Sequence, residues 1–347
     1  MKGFASCLLL VCALGDVALA APVADALERP ALMVRDAAHS ALMAAAQCGN
    51  RLVAVGERGI VVTSDDAGAQ WRQSRTPVSV TLTAVRCPTA QSVFAIGHGG
   101  TVLSSSDGGA TWSRRLDGRR AARLALEDAR ASGDPTAQQE AQRLVEDGPD
   151  KPFLDLHFFD ERRGVVVGAY GLAFATQDGG QTWRPWMRRL PNPKGGHLYS
   201  LRVRGDQLLI AGEQGLVLQS VDGGQEFHRL EVPYQGSFFT AELPSDQEIV
   251  LAGLRGNVWR STDRGRSWSQ LSTSTPASIT ASTLAGDGQI LLATQAGALL
   301  KVSGASVVAL PMPPMPPLNA LQPLRSGGLL ALTNLGAIAT PATSPRP

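Results

Sequence analysis

Ser105-Ser106-Asp107-Gly108-Gly109-Ala110-Thr111-Trp112 is one of five copies of a phrase that places a small hydroxyl residue, an acid, a glycine and an aromatic at fixed offsets. The others run Ser64–Asp66–Gly68–Trp71, Thr176–Asp178–Gly180–Trp183, Ser220–Asp222–Gly224–Phe227 and Ser261–Asp263–Gly265–Trp268. Successive aromatics are 41, 71, 44 and 41 residues apart. The long step is one period plus an insertion of about 30 residues, and the period itself is that of propeller-blade repeats.

Upstream of each phrase lie two apolar runs around a glycine turn. Examples are Leu52-Val53-Ala54-Val55-Gly56 with Ile60-Val61-Val62, and Leu208-Leu209-Ile210-Ala211-Gly212 with Leu216-Val217-Leu218. Short β-branched runs bounded by glycine turns read as strands buried on both faces. An earlier run such as Leu82-Thr83-Ala84-Val85 supplies an inner strand, and the residues after each aromatic an outer one. Two weaker repeats without the phrase follow, around Ile290–Ala293 and Leu329–Leu332. The expectation is an all-β, seven-bladed β-propeller of four-stranded blades over residues 28–342. Six or eight blades remain compatible with the repeats. Ala31-Leu32-Met33-Val34 is expected to complete the seventh blade and close the ring.

Asp66, Asp107, Asp178, Asp222 and Asp263 read as structural. Their carboxylates can accept backbone N–H groups across a tight turn, and copies on different blades cannot converge on one catalytic or calcium centre. No His/Cys cluster has metal spacing, so no metal, cofactor or catalytic residue is assigned. The 32 basic and 30 acidic residues nearly cancel, which gives a nucleic-acid partner no electrostatic support. Residues 1–20 read as a signal peptide, with Lys2, the apolar Leu8–Val11 and a small-residue site at Ala18-Leu19-Ala20. No later run is long enough to cross a bilayer, so the expectation is an exported, periplasmic monomer. Cys48 and Cys87 then remain, at equivalent places in adjacent repeats. A disulfide and a pair of unbridged buried thiols are both compatible with the sequence; a bridge would contribute roughly 4 kcal/mol by loop entropy.

Residues 118–150 interrupt the β pattern with helix formers, and Asp134 stands as an N-cap before Pro135. This insertion reads as a helical hairpin between blades two and three: a solvated decoration, a docking element or a lid over the channel. Pro311–Pro317 reads as a rigid connector between blades six and seven. The turns between second and third strands point to one face, around the channel mouth. They offer Glu57, Arg58, His98, Tyr170, Glu213, Gln214, Arg255 and Asn334 as partner-binding residues, because rigid strands there present dissimilar side chains. Arg58, Tyr170 and Arg255 are the first to test, since Arg and Tyr are enriched in interface hot spots.

The phrase is the Asp-box, or BNR repeat, found in sialidases and several other propellers. Here it follows turns such as Val55-Gly56-Glu57-Arg58-Gly59 and Val167-Gly168-Ala169-Tyr170-Gly171, with Leu154–Phe159 through Trp183 the nearest stretch. That combination resembles the photosystem II stability/assembly factor family over most of residues 40–340. The resemblance implies an exported, non-enzymatic scaffold that holds membrane-protein assembly intermediates. It does not bring a photosystem with it, and no arginine of the family's arginine-rich face is transferred to this chain. The helical insertion departs from the family pattern. Two other classes stay open. A sialidase would need an arginine triad and a tyrosine nucleophile with a glutamate partner, yet the opening Arg-Ile-Pro signature is absent and Tyr170, Tyr199 and Tyr234 have no such partner by motif. A glycan-binding lectin would need an aromatic platform that the sequence does not display.

Overall fold

Alternating bulky residues and glycine turns fold here into antiparallel meanders, each running from an inner strand outward. The computed structural model describes residues 24–340. The signal-peptide reading of residues 1–20 lies outside them. Among the described residues four sheets have four strands, one has eight and one has three. The eight-stranded sheet is two meanders, Phe238–Thr273 and Ile279–Ala309, whose outer strands meet where Ser272 and Thr273 pair in parallel with Ser306 and Val307. The architecture is an all-β propeller with two helices.

Burial explains how the sheets stack. Val61, Val93, Val166, Leu209, Leu251, Leu292 and Leu330 are all inaccessible to solvent, because each middle strand is covered on both faces by a neighbouring meander. Apolar clusters join each meander to the next. One of them joins the last to the first, setting Leu324, Leu330 and Leu332 against Leu42, Leu52 and Val62. Asn319 Nδ2 also donates to the Leu42 carbonyl at 2.9 Å, and Arg325 reaches Asn50.

This face-to-face contact closes the ring, so the expected closure by Ala31–Val34 is corrected. That segment is not a strand. It runs along the outer edge of the first meander, where Ala31 N donates to the Thr76 carbonyl at 3.2 Å and Val34 N to Gln73 Oε1 at 2.9 Å. It is held there by what surrounds it. Leu27 is buried against Gly99, Arg114 pairs with Glu28, and Arg119 pairs with Asp25. The last sheet, Leu318–Pro323, Leu329–Thr333 and Gly336–Thr340, has three strands among the described residues.

The insertion forms helices α1 (Gly118–Ser132) and α2 (Pro135–Asp147). Asp117 caps α1 through Arg120 N, Gly133 ends it at φ 72°, and Asp134 caps α2 through Thr136 N. Ala121, Ala125 and Ala129 turn one face of α1 onto a cluster that includes Trp183 and Met187. The hairpin therefore lies against the outer side of the third meander, whose fourth strand is only Arg184–Pro185. The proline-rich segment sends Met312 and Met315 into the cluster between the last two meanders.

Candidate functional site

One end of the ring carries the Asp-box turns. In the second copy Ser105 Oγ donates to Asp107 Oδ1 at 2.7 Å and accepts from Gly109 N at 2.9 Å. The other Asp107 oxygen accepts from Thr111 Oγ1 at 2.6 Å, and Trp112 Nε1 donates to the Gly109 carbonyl at 2.9 Å. The fifth copy repeats this with Ser261, Asp263, Gly265 and Ser267. Hydrogen bonds led by Ser267 hold Asp263 down to about 2. Burial opposes ionisation of Asp107, yet bonds from Thr111 and Ser105 outweigh it and bring that carboxyl to about 2 as well. Each aromatic packs on the preceding meander: Trp112 joins Val53 and Val55, and Phe227 joins Val165 and Val167. The carboxylates are engaged within their own turns, and the aromatics lock neighbours together.

The opposite end carries the glycine turns. The first glycine of each is forced by a close backbone approach: a Cβ on Gly56 would stand 2.1 Å from the Ala41 carbonyl oxygen, and one on Gly212 2.3 Å from that of His197. Two residues later the backbone enters the left-handed region with side chains attached, at Arg58 (φ 51°), Tyr170 (φ 56°), Gln214 (φ 51°) and Arg255 (φ 56°). Such conformations cost roughly 1–2 kcal/mol for a residue with a Cβ. Ala67 (φ 58°) and Arg264 (φ 61°) adopt the same conformation in two Asp-box turns, so it belongs to the turn geometry at both ends of the ring. All four side chains are exposed, as are His98 and Asn334. Glu57 and Glu213 differ from them. Their carboxylates accept the Ala41 and His197 amides, each at 3.1 Å, and so brace the entry to the inner strands.

Tyr170 begins an arc that the sequence reading did not assemble. Its ring stands edge-on to His197 at 4.8 Å; His197 meets Tyr199 at 5.9 Å, and Tyr199 meets Phe239 at 5.3 Å. Lys151 Nζ lies 5.5 Å from the Tyr170 ring, and Tyr170 N donates to His197 Nδ1 at 2.9 Å. Tyr199 and Phe239 occupy the bulged second position of their inner strands. The arc thus descends from an exposed turn toward the channel wall. Partial burial, and then Glu213, raise the Tyr199 hydroxyl above its ordinary pKa. The helical hairpin is rooted at this same end, where Gly118 N donates to the Gly99 carbonyl at 2.7 Å and Gly100 N to that of Lys151 at 2.9 Å.

Deeper, the inner strands carry a ladder of alternating charge. Arg86 Nη2 meets Asp155 Oδ1 at 2.8 Å, Arg202 Nη1 meets Asp155 Oδ2 at 2.7 Å, and Arg202 Nε approaches Glu242 at 3.6 Å. Ser282 Oγ completes it by donating to Glu242 Oε1 at 2.7 Å. Burial works against the Arg202 charge, but Glu242 and Asp155 outweigh it and raise its pKa. Beside them, burial and then the Arg86 charge push His157 down to about 4, so it is neutral at pH 7. Two cations and two anions cancel along the ladder. The signal for it was available: charged residues in otherwise apolar inner runs, as in Leu154-Asp155-Leu156-His157. Near the Asp-box end, Cys48 and Cys87 face each other across the first two meanders, with Cα atoms 5.4 Å apart. That lies within the span of a disulfide.

Residues 135–235 match the family profile described as photosynthesis system II assembly factor YCF48. The resemblance to the photosystem II assembly-factor family holds. A photosystem II assembly lipoprotein, Ycf48, of Synechococcus sp. (strain CC9902) is 32% identical over 112 residues, which is 32% of this chain and 32% of that protein. The match thus spans about a third of the curated relative's length. The solved structure of YCF48 from Cyanidioschyzon merolae superposes with a TM-score of 0.65 at 14% identity, covering 88% of this chain and 96% of that one. The WD40 propeller domain of Doa1 superposes with a TM-score of 0.60 at 11% identity, over 90% of this chain and 95% of its own. These two likenesses speak for the fold alone.

Proposed function

We propose that this chain is an exported, non-enzymatic, seven-bladed scaffold that grips a protein partner at its channel-mouth end. One observation carries the reading: the Tyr170–His197–Tyr199–Phe239 arc opens there, flanked by the exposed Arg58, His98, Gln214, Arg255 and Asn334. Tyrosine beside cationic side chains is the usual composition of an interface hot spot. Tyr170, His197 and Tyr199 all fall within the stretch that matches the assembly-factor profile. The blade count rests on the seven inner strands, Leu42–Cys48 through Leu318–Pro323, counting both meanders of the joined sheet.

The partner is an envelope membrane protein caught during assembly, as the name of the Synechococcus relative suggests for that protein. Periplasmic residence and a Cys48–Cys87 disulfide belong to the same reading. Among the described residues no helix is long and apolar enough to cross a membrane. Against glycosidase chemistry stands the ladder, in which Arg86 and Arg202 are both bound to Asp155 and so unavailable to a substrate carboxylate.

The test is capture from native envelope with wild-type protein and the Tyr170→Ala/Tyr199→Ala variant. Recovery of a membrane protein should fall about tenfold or more in the variant, the size expected on losing hot-spot residues. Equal recovery by both proteins, or turnover of a fluorogenic sialoside, defeats the proposal.

A further inference from the structure

The described residues expose most large apolar side chains singly, as at Val145, Val221 and Leu335. Leu32, Met33 and Val34 are the contiguous exception, at 73%, 47% and 43% exposure. The backbone beneath them is fixed. Gln73 grips it from both sides, its Oε1 accepting from Val34 N at 2.9 Å and its Nε2 donating to the Leu32 carbonyl at 2.8 Å. Three aliphatic side chains are therefore held out from a rigid edge. Three exposed arginines flank them, Arg29 and Arg35 in sequence and Arg75 on the adjoining loop, and none of these forms an ion pair among the described residues. Of the nearby acids, Glu28 is engaged with Arg114 and Arg119, and Asp36, exposed beside Arg35, meets His39.

We infer that this rim docks on the anionic headgroups of a bilayer. Leu32, Met33 and Val34 enter the boundary between headgroups and acyl chains, while Arg29, Arg35 and Arg75 meet lipid phosphates. A protein partner fits the patch less well, since a stable protein interface needs about 800 Å² per side and many more residues. Interfacial lipid binding needs only a few apolar side chains with cations beside them. Ala31 packs against the Gly59 turn, so the patch starts near the channel mouth and runs along the outer edge of the first meander.

The test uses protein recovered from the envelope and vesicles of phosphatidylcholine with or without phosphatidylglycerol. Wild type should bind the anionic vesicles preferentially and be released by salt. Leu32→Ser/Met33→Ser/Val34→Ser should bind at least about tenfold more weakly, and Arg35→Glu/Arg75→Glu should lose the preference for phosphatidylglycerol. Both variants change exposed side chains only, so an unchanged melting curve certifies their fold. Equal binding to both vesicle types by wild type, or full binding by the triple variant, overturns the inference. So does a triple variant that loses a co-purifying protein while wild type ignores vesicles. Partner capture in detergent reports on the channel-mouth site separately.

Discussion

The two ends of this ring use the same repeat to opposite purposes. At the Asp-box end the chain repeats itself, and each acid is satisfied by the hydroxyl and backbone groups of its own turn. At the other end the glycines repeat while the residues between them vary from Arg58 to Tyr170 to Gln214, in a backbone conformation that disfavours them. Satisfied polar groups stabilise a fold and leave little to offer a ligand. Exposed and dissimilar side chains do the reverse. Repetition in sequence marks the architecture here, and departure from repetition marks the candidate site.

The strongest way to separate stability from recognition lies between the ends, in the ladder. Asp155→Ala leaves Arg86 and Arg202 without their shared carboxylate; both arginines keep contact with solvent, so the cost should stay near the low end of the about 3–5 kcal/mol typical of a buried pair. Urea unfolding should show a midpoint shift of that size. A loss below about 1 kcal/mol would mean that water replaces the carboxylate and that the ladder is not a stabilising element. Asp107→Ala should be milder. It removes a turn acceptor for two backbone amides and two hydroxyls, comparable to loss of a helix cap at about 1–2 kcal/mol. Partner capture should survive it, and a capture defect in a well-folded Asp107→Ala protein would break the division between the two ends.

The same acids give a pH signature. Asp107 and Asp263 sit at about 2 in the folded chain, below the ordinary carboxylate value. Between those values the unfolded chain binds more protons, so their contribution is complete above about pH 4 and is lost as pH falls toward 2. Thermal melting between pH 5 and pH 2 should show Tm falling in that window. In Asp107→Ala/Asp263→Ala the fall should be shallower. An identical slope in the double variant would remove these two acids as the cause.

Much of this was legible in the sequence, and the reasons for the rest are physical. The five-fold phrase and the glycine-bounded runs repeat because every meander meets the same two neighbours, so periodicity alone pointed to the propeller. The ends of the ring obey no such rule. Ala31–Val34 has the apolar composition of a strand, but Leu27, Arg114 and Arg119 tie the chain just before it to the second meander, and the sheet it was expected to finish closes by packing instead. The eight-stranded sheet depends on four residues pairing between outer strands, which no spacing announces. The candidate site was half visible. Single turns could be enumerated, but the arc joins a turn to two inner strands, and Tyr199 and Phe239 stand at bulges that spacing does not signal.

The smallest expected effect discriminates most sharply between the two ends. Glycine adopts the left-handed region freely, so Tyr170→Gly and Gln214→Gly should relieve strain and leave stability unchanged or raised by up to about 1 kcal/mol. Ordinarily a glycine substitution destabilises, and the reversed sign would show that the native residue strains its turn. The two variants should then part company. Tyr170 anchors the arc through its ring and lies beside Lys151, so its loss should weaken capture; Gln214 lies outside the arc, and its loss should alter capture far less. Calorimetry paired with a capture titration reads both quantities on one preparation. If Tyr170→Gly binds as well as wild type, the strain at the channel mouth has no counterpart in recognition, and the contrast between the two ends reduces to turn geometry.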